Sequence, residues 1–364
     1  MKKKLFLWFF RNFDYLCSKL PRVGMFRPLR SEFSAIARLE QRSLSGAVLL
    51  HRQSLGPCTS GSMTERTSMQ QHNHQPWPVF WVRSDNARLV GSLLLWRDQA
   101  DRWCSEDAYH SSVRLNPRDD SVFAQTFVRR PLFLEGAWTS IVSKWGTGNN
   151  YYHWMLDCLT RLRVRESLPE PTRILIPRKG FKYIGETLEM LGLAAQAESP
   201  SASTIQPERY YFCSPTAMTG AWNPYGFNFL REKFAPFCQR STTGQAIFLT
   251  RRHSFRMPSC LPEIEDTFTK NGFMIVDCAT LSVREQMRIA SSAPAIAGLH
   301  GAAMTNLLWS QPRIPVLEIF SPDWLNGVYE QIAMHFNLNY CPHIIDKINT
   351  IPYLNNWCKN IKIR

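Results

Sequence analysis

The chain has 364 residues, a formal net charge of +14, 44% hydrophobic residues and 20% charged residues. That length can bury a core without disulfide or zinc staples, and that composition excludes wholesale disorder. The charge sits at the ends. Residues 1–60 hold eleven lysines and arginines against three acids, and Lys347, Lys359, Lys362 and Arg364 follow Asp346. The body is close to balance, which argues against a nucleic-acid groove along it. Basic ends suit an anionic surface instead.

Residues 1–78 read as a basic extension and linker. Lys2–Lys4 precede the apolar run Leu5–Phe10, and Arg11 ends it. A signal peptide needs about 7–15 apolar residues, so a short interfacial segment is the expectation. No stretch reaches the roughly 18 apolar residues of a spanning helix. Residues 26–56 have helical periodicity, and 57–78 are linker-like. His72 and His74 fall in that polar stretch and read as loop residues. The ten cysteines form no C-x-x-C and no zinc spacing, so reduced thiols are expected.

Short β-type runs follow at 79–82, 89–96, 122–127 and 132–142. After the turn at 146–150, one amphipathic helix is expected over 151–164. Then come strand 173–176, helix 183–191 ending at Gly192, strand 209–213 and helix 229–234. The polar stretch 239–245 reads as a hinge. Beyond it the alternation is cleaner: strand 246–250, helix 263–271, strand 273–276, helix 283–291, strand 295–299, helix 302–308 and strand 316–320. Ser282 and Glu285 form a capping-box pattern at the start of the 283–291 helix. The alternation predicts an α/β fold with two Rossmann-like domains, their parallel sheets facing a cleft. The domains expected are 79–240 on the acceptor side and 241–345 on the nucleotide side, with a basic tail at 346–364.

Four segments carry chemistry. His153 and Asp157 lie four apart on a helix, so they share a face. A histidine beside a carboxylate is a proton-transfer unit. The plainer reading pairs Asp157 with Arg161 on the surface. Strand 246–250 ends in Arg251 and Arg252, with Arg256 beyond; guanidinium groups at a sheet mouth match phosphate oxygens. His300, Gly301 and Ala302 open a helix whose free N–H groups could face phosphate, with Thr305 and Asn306 one turn in. Glu318 sits in an apolar run on a central strand, and such a carboxylate needs a partner. A ribose hydroxyl pair and an arginine are the two considered. There is no P-loop, no H-E-x-x-H and no D-x-D.

Taken in order, these motifs resemble glycosyltransferase family 61 over roughly residues 79–345. The resemblance rests on N-Y-Y-H-W-x-x-D (Asn150 to Asp157) and T-R-R with a later arginine (Thr250, Arg251, Arg252, Arg256). It continues through G-F-x-I-V (Gly272–Val276), L-S-V-x-E-Q (Leu281–Gln286), H-G-A-x-x-T-N-L-L (His300–Leu308) and V-L-E-I (Val316–Ile319). Residues 329–333 and 337–340 fit the family's closing helix and strand. The chain departs from the family at 257–260, where Asn-Glu is common.

The resemblance implies a GT-B fold and inverting transfer from a nucleotide sugar to a glycan or lipid-linked acceptor. Bacterial members build capsule or lipopolysaccharide, a setting on the cytoplasmic face of a membrane. His153 and Asp157 would be the base unit. Arg251 and the Gly301–Ala302 backbone would hold the leaving diphosphate, helped by His300 or Arg256. Glu318 would take the ribose, and Asn306 would belong to the nucleotide pocket. No metal or other cofactor is expected, and no nucleic-acid partner. A non-catalytic carbohydrate-binding or scaffolding protein on the same fold is the alternative.

Overall fold

The computed structural model describes residues 79–361 apart from 80, 92–94, 98–102, 105–130, 144, 147, 178–179, 200, 203, 218, 222, 240, 253–256 and 347. The expected interfacial segment, the helix at 26–56, His72, His74, the strand at 122–127 and Arg256 lie outside the described residues.

Two sheets organise the chain. The first contains β1 (Trp81–Asp85), β2 (Arg88–Val90), β3 (Leu95–Arg97), β4 (Trp103–Cys104), β5 (Leu132–Ser140), β6 (Arg173–Leu175), β7 (Ala197–Glu198) and β8 (Thr204–Cys213). Its order is β4-β3-β2-β8-β5-β6-β7, with β1 also on β8. Strands β5 to β8 pair in parallel, whereas β1, β2, β3 and β4 pair antiparallel. The first sheet is therefore mixed, not parallel throughout as expected. The reason is connection length: only four residues join β2 to β3, and a parallel pairing needs a crossover of about a dozen.

The second sheet is wholly parallel. It contains β9 (Ile247–Leu249), β10 (Met274–Val276), β11 (Ile296–Leu299), β12 (Pro315–Phe320) and β13 (Asn339–Ile344), in the order β10-β9-β11-β12-β13. That is a Rossmann-like, doubly wound order, and it reverses between β9 and β11. The helices are α1 (Lys182–Met190), α2 (Pro224–Phe234), α3 (Leu261–Lys270), α4 (Val283–Ser292), α5 (Val328–His335) and α6 (Thr350–Asn360). Ser282 and Glu285 cap α4 reciprocally, as the sequence pattern requires. Gly192 and Gly272 follow α1 and α3 at φ +67 and +81, where a side chain would be strained.

Alternation along β9 gives the second sheet two buried faces. Ile247 and Leu249 join a core shared with Ile141, Trp154 and Leu230 of the first half. Phe248 faces the other way, onto Phe268 of α3. The shared core runs continuously beneath both sheets. The segment expected as a hinge is tied down: Gln239 N donates to Ser291 Oγ and Gly244 N to the Ser292 carbonyl. The segment expected as a basic tail carries α6, whose Leu354 and Cys358 are buried against the α3 side.

Candidate active site

The expected helix over 151–164 is composite. It opens as α-helix at Tyr151–His153, passes through a π-helical turn at Trp154–Cys158 and a 3₁₀ turn at Leu159–Arg161, and closes as α-helix at Leu162–Arg165. Asn150, in extended backbone, caps it by accepting from His153 N. π-turns inside helices often mark functional positions. Here the turn holds Asp157.

His153 Nδ1 lies 2.8 Å from Asp157 Oδ2. Thr219 Oγ1 donates to the same oxygen, also at 2.8 Å. The side chains of His153 and Asp157 are 18% and 8% exposed, so the carboxylate is the more sheltered. With Nδ1 donating to the carboxylate, the lone pair stays on Nε2, the tautomer a general base needs. Arg161 is fully buried and donates to the carbonyls of Val142 and Cys213. It is a clamp between the ends of β5 and β8, not a surface partner for Asp157.

The second cluster sits at the carboxyl end of the parallel sheet. The T-R-R segment after β9 divides into two. Thr250 and Arg252 both bond Glu265 of α3, and this pairing holds the Arg252 guanidinium above its ordinary range. Arg251 turns the other way and donates to the carbonyl of His300. Its guanidinium lies over Gly301: a Cβ there would come within 3.0 Å of Arg251 Cζ and Nε. Gly301 has extended backbone (φ 171), so contact with Arg251 makes this a glycine site, not backbone strain.

His300 Nδ1 pairs with Glu318 Oε1 at 2.5 Å, and Tyr340 Oη donates to Glu318 Oε2 at 2.6 Å. Glu318 is fully buried. Burial pushes its carboxyl above the usual range, and His300 and Tyr340 oppose that. The two oxygens of Glu318 meet His300 and Tyr340, and these partners are neither of those expected. Strands β11, β12 and β13 lie side by side, with Gly298 and Pro342 flanking Glu318 in register; this brings His300 and Tyr340 to it.

Asn306 also departs from expectation. Its side chain bonds Gln286 Oε1, the Ala303 carbonyl and Trp309 Nε1 inside the core. The helix Ala302–Trp309 is 3₁₀, with three residues per turn, so Thr305 rather than Asn306 lies beneath Ala302, and Asn306, four past Ala302, falls on another face. Ala302 stays half-buried at its start. A small recess, open to solvent, lies among Arg251, Pro258, His300, Ser321, Trp324 and Ile345.

Arg251, His300, Gly301 and Glu318 thus form one cluster, and His153 and Asp157 another. Tyr152 and Tyr329 join the two clusters. Sequence reasoning missed Thr219, Tyr340 and the bridging role of Tyr329. Tyr329 and Tyr340 were visible only as members of a closing helix and strand. Among the described residues, no three His, Cys, Asp or Glu side chains gather as a metal site. No helix among them is long and apolar enough to cross a membrane.

Residues 151–317 match the family described as Glycosyltransferase 61. The match includes both histidines, Asp157 and Arg251, and ends one residue before Glu318. No curated protein matches the chain. Across residues 151–317, a little under half of the chain, the protein is similar to the glycosyltransferase 61 family, and that match supports glycosyltransferase activity in general.

Proposed function

We propose that the protein is an inverting glycosyltransferase of GT-B architecture that uses a nucleotide-sugar donor and a glycan or lipid-linked acceptor. The observation that supports it is the position of Arg251 and the His300–Glu318 pair. Arg251 and His300 stand just beyond the carboxyl ends of β9 and β11, where the strand order reverses, with Glu318 of β12 beside His300. Doubly wound sheets bind their ligands in that crevice. A cation and a buried imidazole there suit a diphosphate.

In this reading His153 Nε2 takes the proton of the acceptor hydroxyl, and Asp157 orients the ring. The acceptor oxygen bonds to the anomeric carbon as the bond to the phosphate oxygen breaks. A single displacement inverts that carbon. The electron pair leaves with the diphosphate, which Arg251, His300 and the N–H groups of Gly301 and Ala302 stabilise. Those donors let the diphosphate depart without a metal ion. The product fits surface polysaccharide such as capsule or lipopolysaccharide. The basic ends suit the cytoplasmic face of an anionic membrane that carries lipid-linked acceptors.

The test is thermal shift against nucleoside diphosphates and nucleotide sugars, with and without EDTA, followed by NMR of the product's anomeric configuration. A ligand that binds only the native state raises the melting temperature. The expected result is an EDTA-insensitive shift with one diphosphate, lost in Arg251→Ala, and an inverted product. His153→Ala should lower turnover about 10²–10⁴-fold. No shift with any nucleotide, or a retained anomeric configuration, overturns the reading.

A further inference from the structure

Trp145 precedes the composite helix and stands beside the His153–Asp157 pair. Its ring lies 5.9 Å from the His153 imidazole, centroid to centroid, with 27° between the planes. At that spacing two rings overlap only in part. Trp145 remains 42% accessible, although most large aromatics among the described residues are buried.

The turn that carries Trp145 is firmly held. Gly146 N donates to Ser143 Oγ at 3.0 Å, and Ser143 Oγ meets Cys158 Sγ at 3.3 Å. A Cβ on Gly146 would lie 2.2 Å from Cys158 Sγ, so the turn is seated directly on the π-helical turn that presents Asp157. Burial pushes the Cys158 thiol up to about 12, which keeps it a neutral packing group. Tyr183 Oη donates to the Gly148 carbonyl and ties the turn to α1. The half-open indole is therefore fixed relative to the histidine.

A rigid, partly exposed indole beside a proton acceptor suits one kind of ligand. A sugar ring has an apolar C–H face and a rim of hydroxyls. Its face can lie on the indole while one hydroxyl reaches the imidazole edge. We propose that Trp145 is the stacking platform for the acceptor sugar. This rests on the transferase reading above, which puts the donor diphosphate at Arg251 and His300, across the Tyr152–Tyr329 contact. Position 145 lies before the family match at 151–317, so the match assigns it nothing.

The test uses the full chain with Trp145→Ala and Trp145→Phe. Saturation-transfer NMR with a panel of methyl glycosides reads sugar binding without turnover. Kinetics then separate acceptor KM from donor KM. Trp145→Ala is expected to weaken glycoside binding and raise acceptor KM about tenfold, with Trp145→Phe in between. Donor KM and the nucleoside-diphosphate thermal shift should stay at wild-type values. Unchanged glycoside binding and acceptor KM in Trp145→Ala overturn the proposal. A rise in donor KM alone overturns it too, because it makes Trp145 a donor-sugar contact. Glycoside binding that depends on Trp145 in a chain with no nucleotide shift would support the platform while sinking the transferase reading, so the two fail separately.

Discussion

Tyr152 and Tyr329 meet edge to face at 5.6 Å, and each also touches a histidine: Tyr152 packs on His153 and Tyr329 on His300. Both tyrosines are buried. The row His153–Tyr152–Tyr329–His300 runs from the composite helix, through α5, to the end of β11. It sets the separation of the two histidine–carboxylate pairs with aromatic contacts, which have few rotamers and little slack.

The row has a kinetic consequence. Tyr329→Leu removes both ring contacts, each worth about 0.5–1.5 kcal/mol, and lets His300 and Tyr152 shift. A misplacement of about 1 Å can cost up to 10²-fold in rate. Tyr329→Leu should therefore lower kcat by tenfold or more, whereas Tyr329→Phe keeps the ring and most of the rate. Equal kcat values for the Leu and Phe variants would show that the row does not position the chemistry.

Gly301→Ala tests the Arg251 contact. The clash is with the far end of a flexible side chain, and the backbone at φ 171 accepts alanine. The fold should survive with little change in melting temperature. Arg251 must move, and a charge-assisted contact to phosphate is worth about 1.5–3 kcal/mol. Diphosphate affinity should fall about tenfold or more at near-constant stability. A loss of stability with affinity intact would assign Gly301 to packing instead.

Tyr340→Phe leaves Glu318 Oε2 without its hydroxyl donor in a fully buried site. An orphaned buried acceptor costs about 1–3 kcal/mol, more when charged. Melting temperature should drop by several degrees, and the diphosphate shift should weaken because His300 loses a fixed partner. Chemical denaturation with and without nucleotide separates the two effects. If neither changes, the hydrogen bond to Tyr340 holds nothing that matters.

The second sheet was legible because its signals are local. Strand and helix alternation, the Ser282–Glu285 box and the glycine at 272 each act within a few residues. The His153–Asp157 contact was legible for the same reason, since helical spacing alone brings i and i+4 together. Glu318 was only half legible. Its burial followed from the apolar run, but its partners come from neighbouring strands, and register across a parallel sheet is not written in spacing. Arg161 reads as a surface residue at i+4 from Asp157, yet the carbonyls of Val142 and Cys213 claim it. The surroundings of Asn306 were not legible, because apolar spacing does not separate an α-helix from a 3₁₀ helix, which turns its side chains to other faces. The antiparallel strands of the first sheet were hidden because short apolar runs carry no direction.

Acid should weaken the fold through two histidines outside both clusters. Burial holds His335 and His343 below their ordinary value, and Arg231 adds to the effect at His335. His335 Nε2 faces Asn228 Oδ1, with Phe227 and Phe336 around the ring. His343 stacks on Tyr353 at 4.2 Å and meets Thr350, while Asp346 partly offsets its shift. In the unfolded chain each takes a proton near pH 6.5. Folded, each stays neutral until a lower pH. The unfolded state then binds more protons, so stability falls as pH drops. The contribution is complete above about pH 6.5 and is lost as pH falls through the folded values. Urea midpoints at pH 7.5 and 5.5 should differ more for the wild type than for the His335→Gln, His343→Gln double variant. Identical pH dependence in the two chains would show that neither histidine is held neutral by the fold.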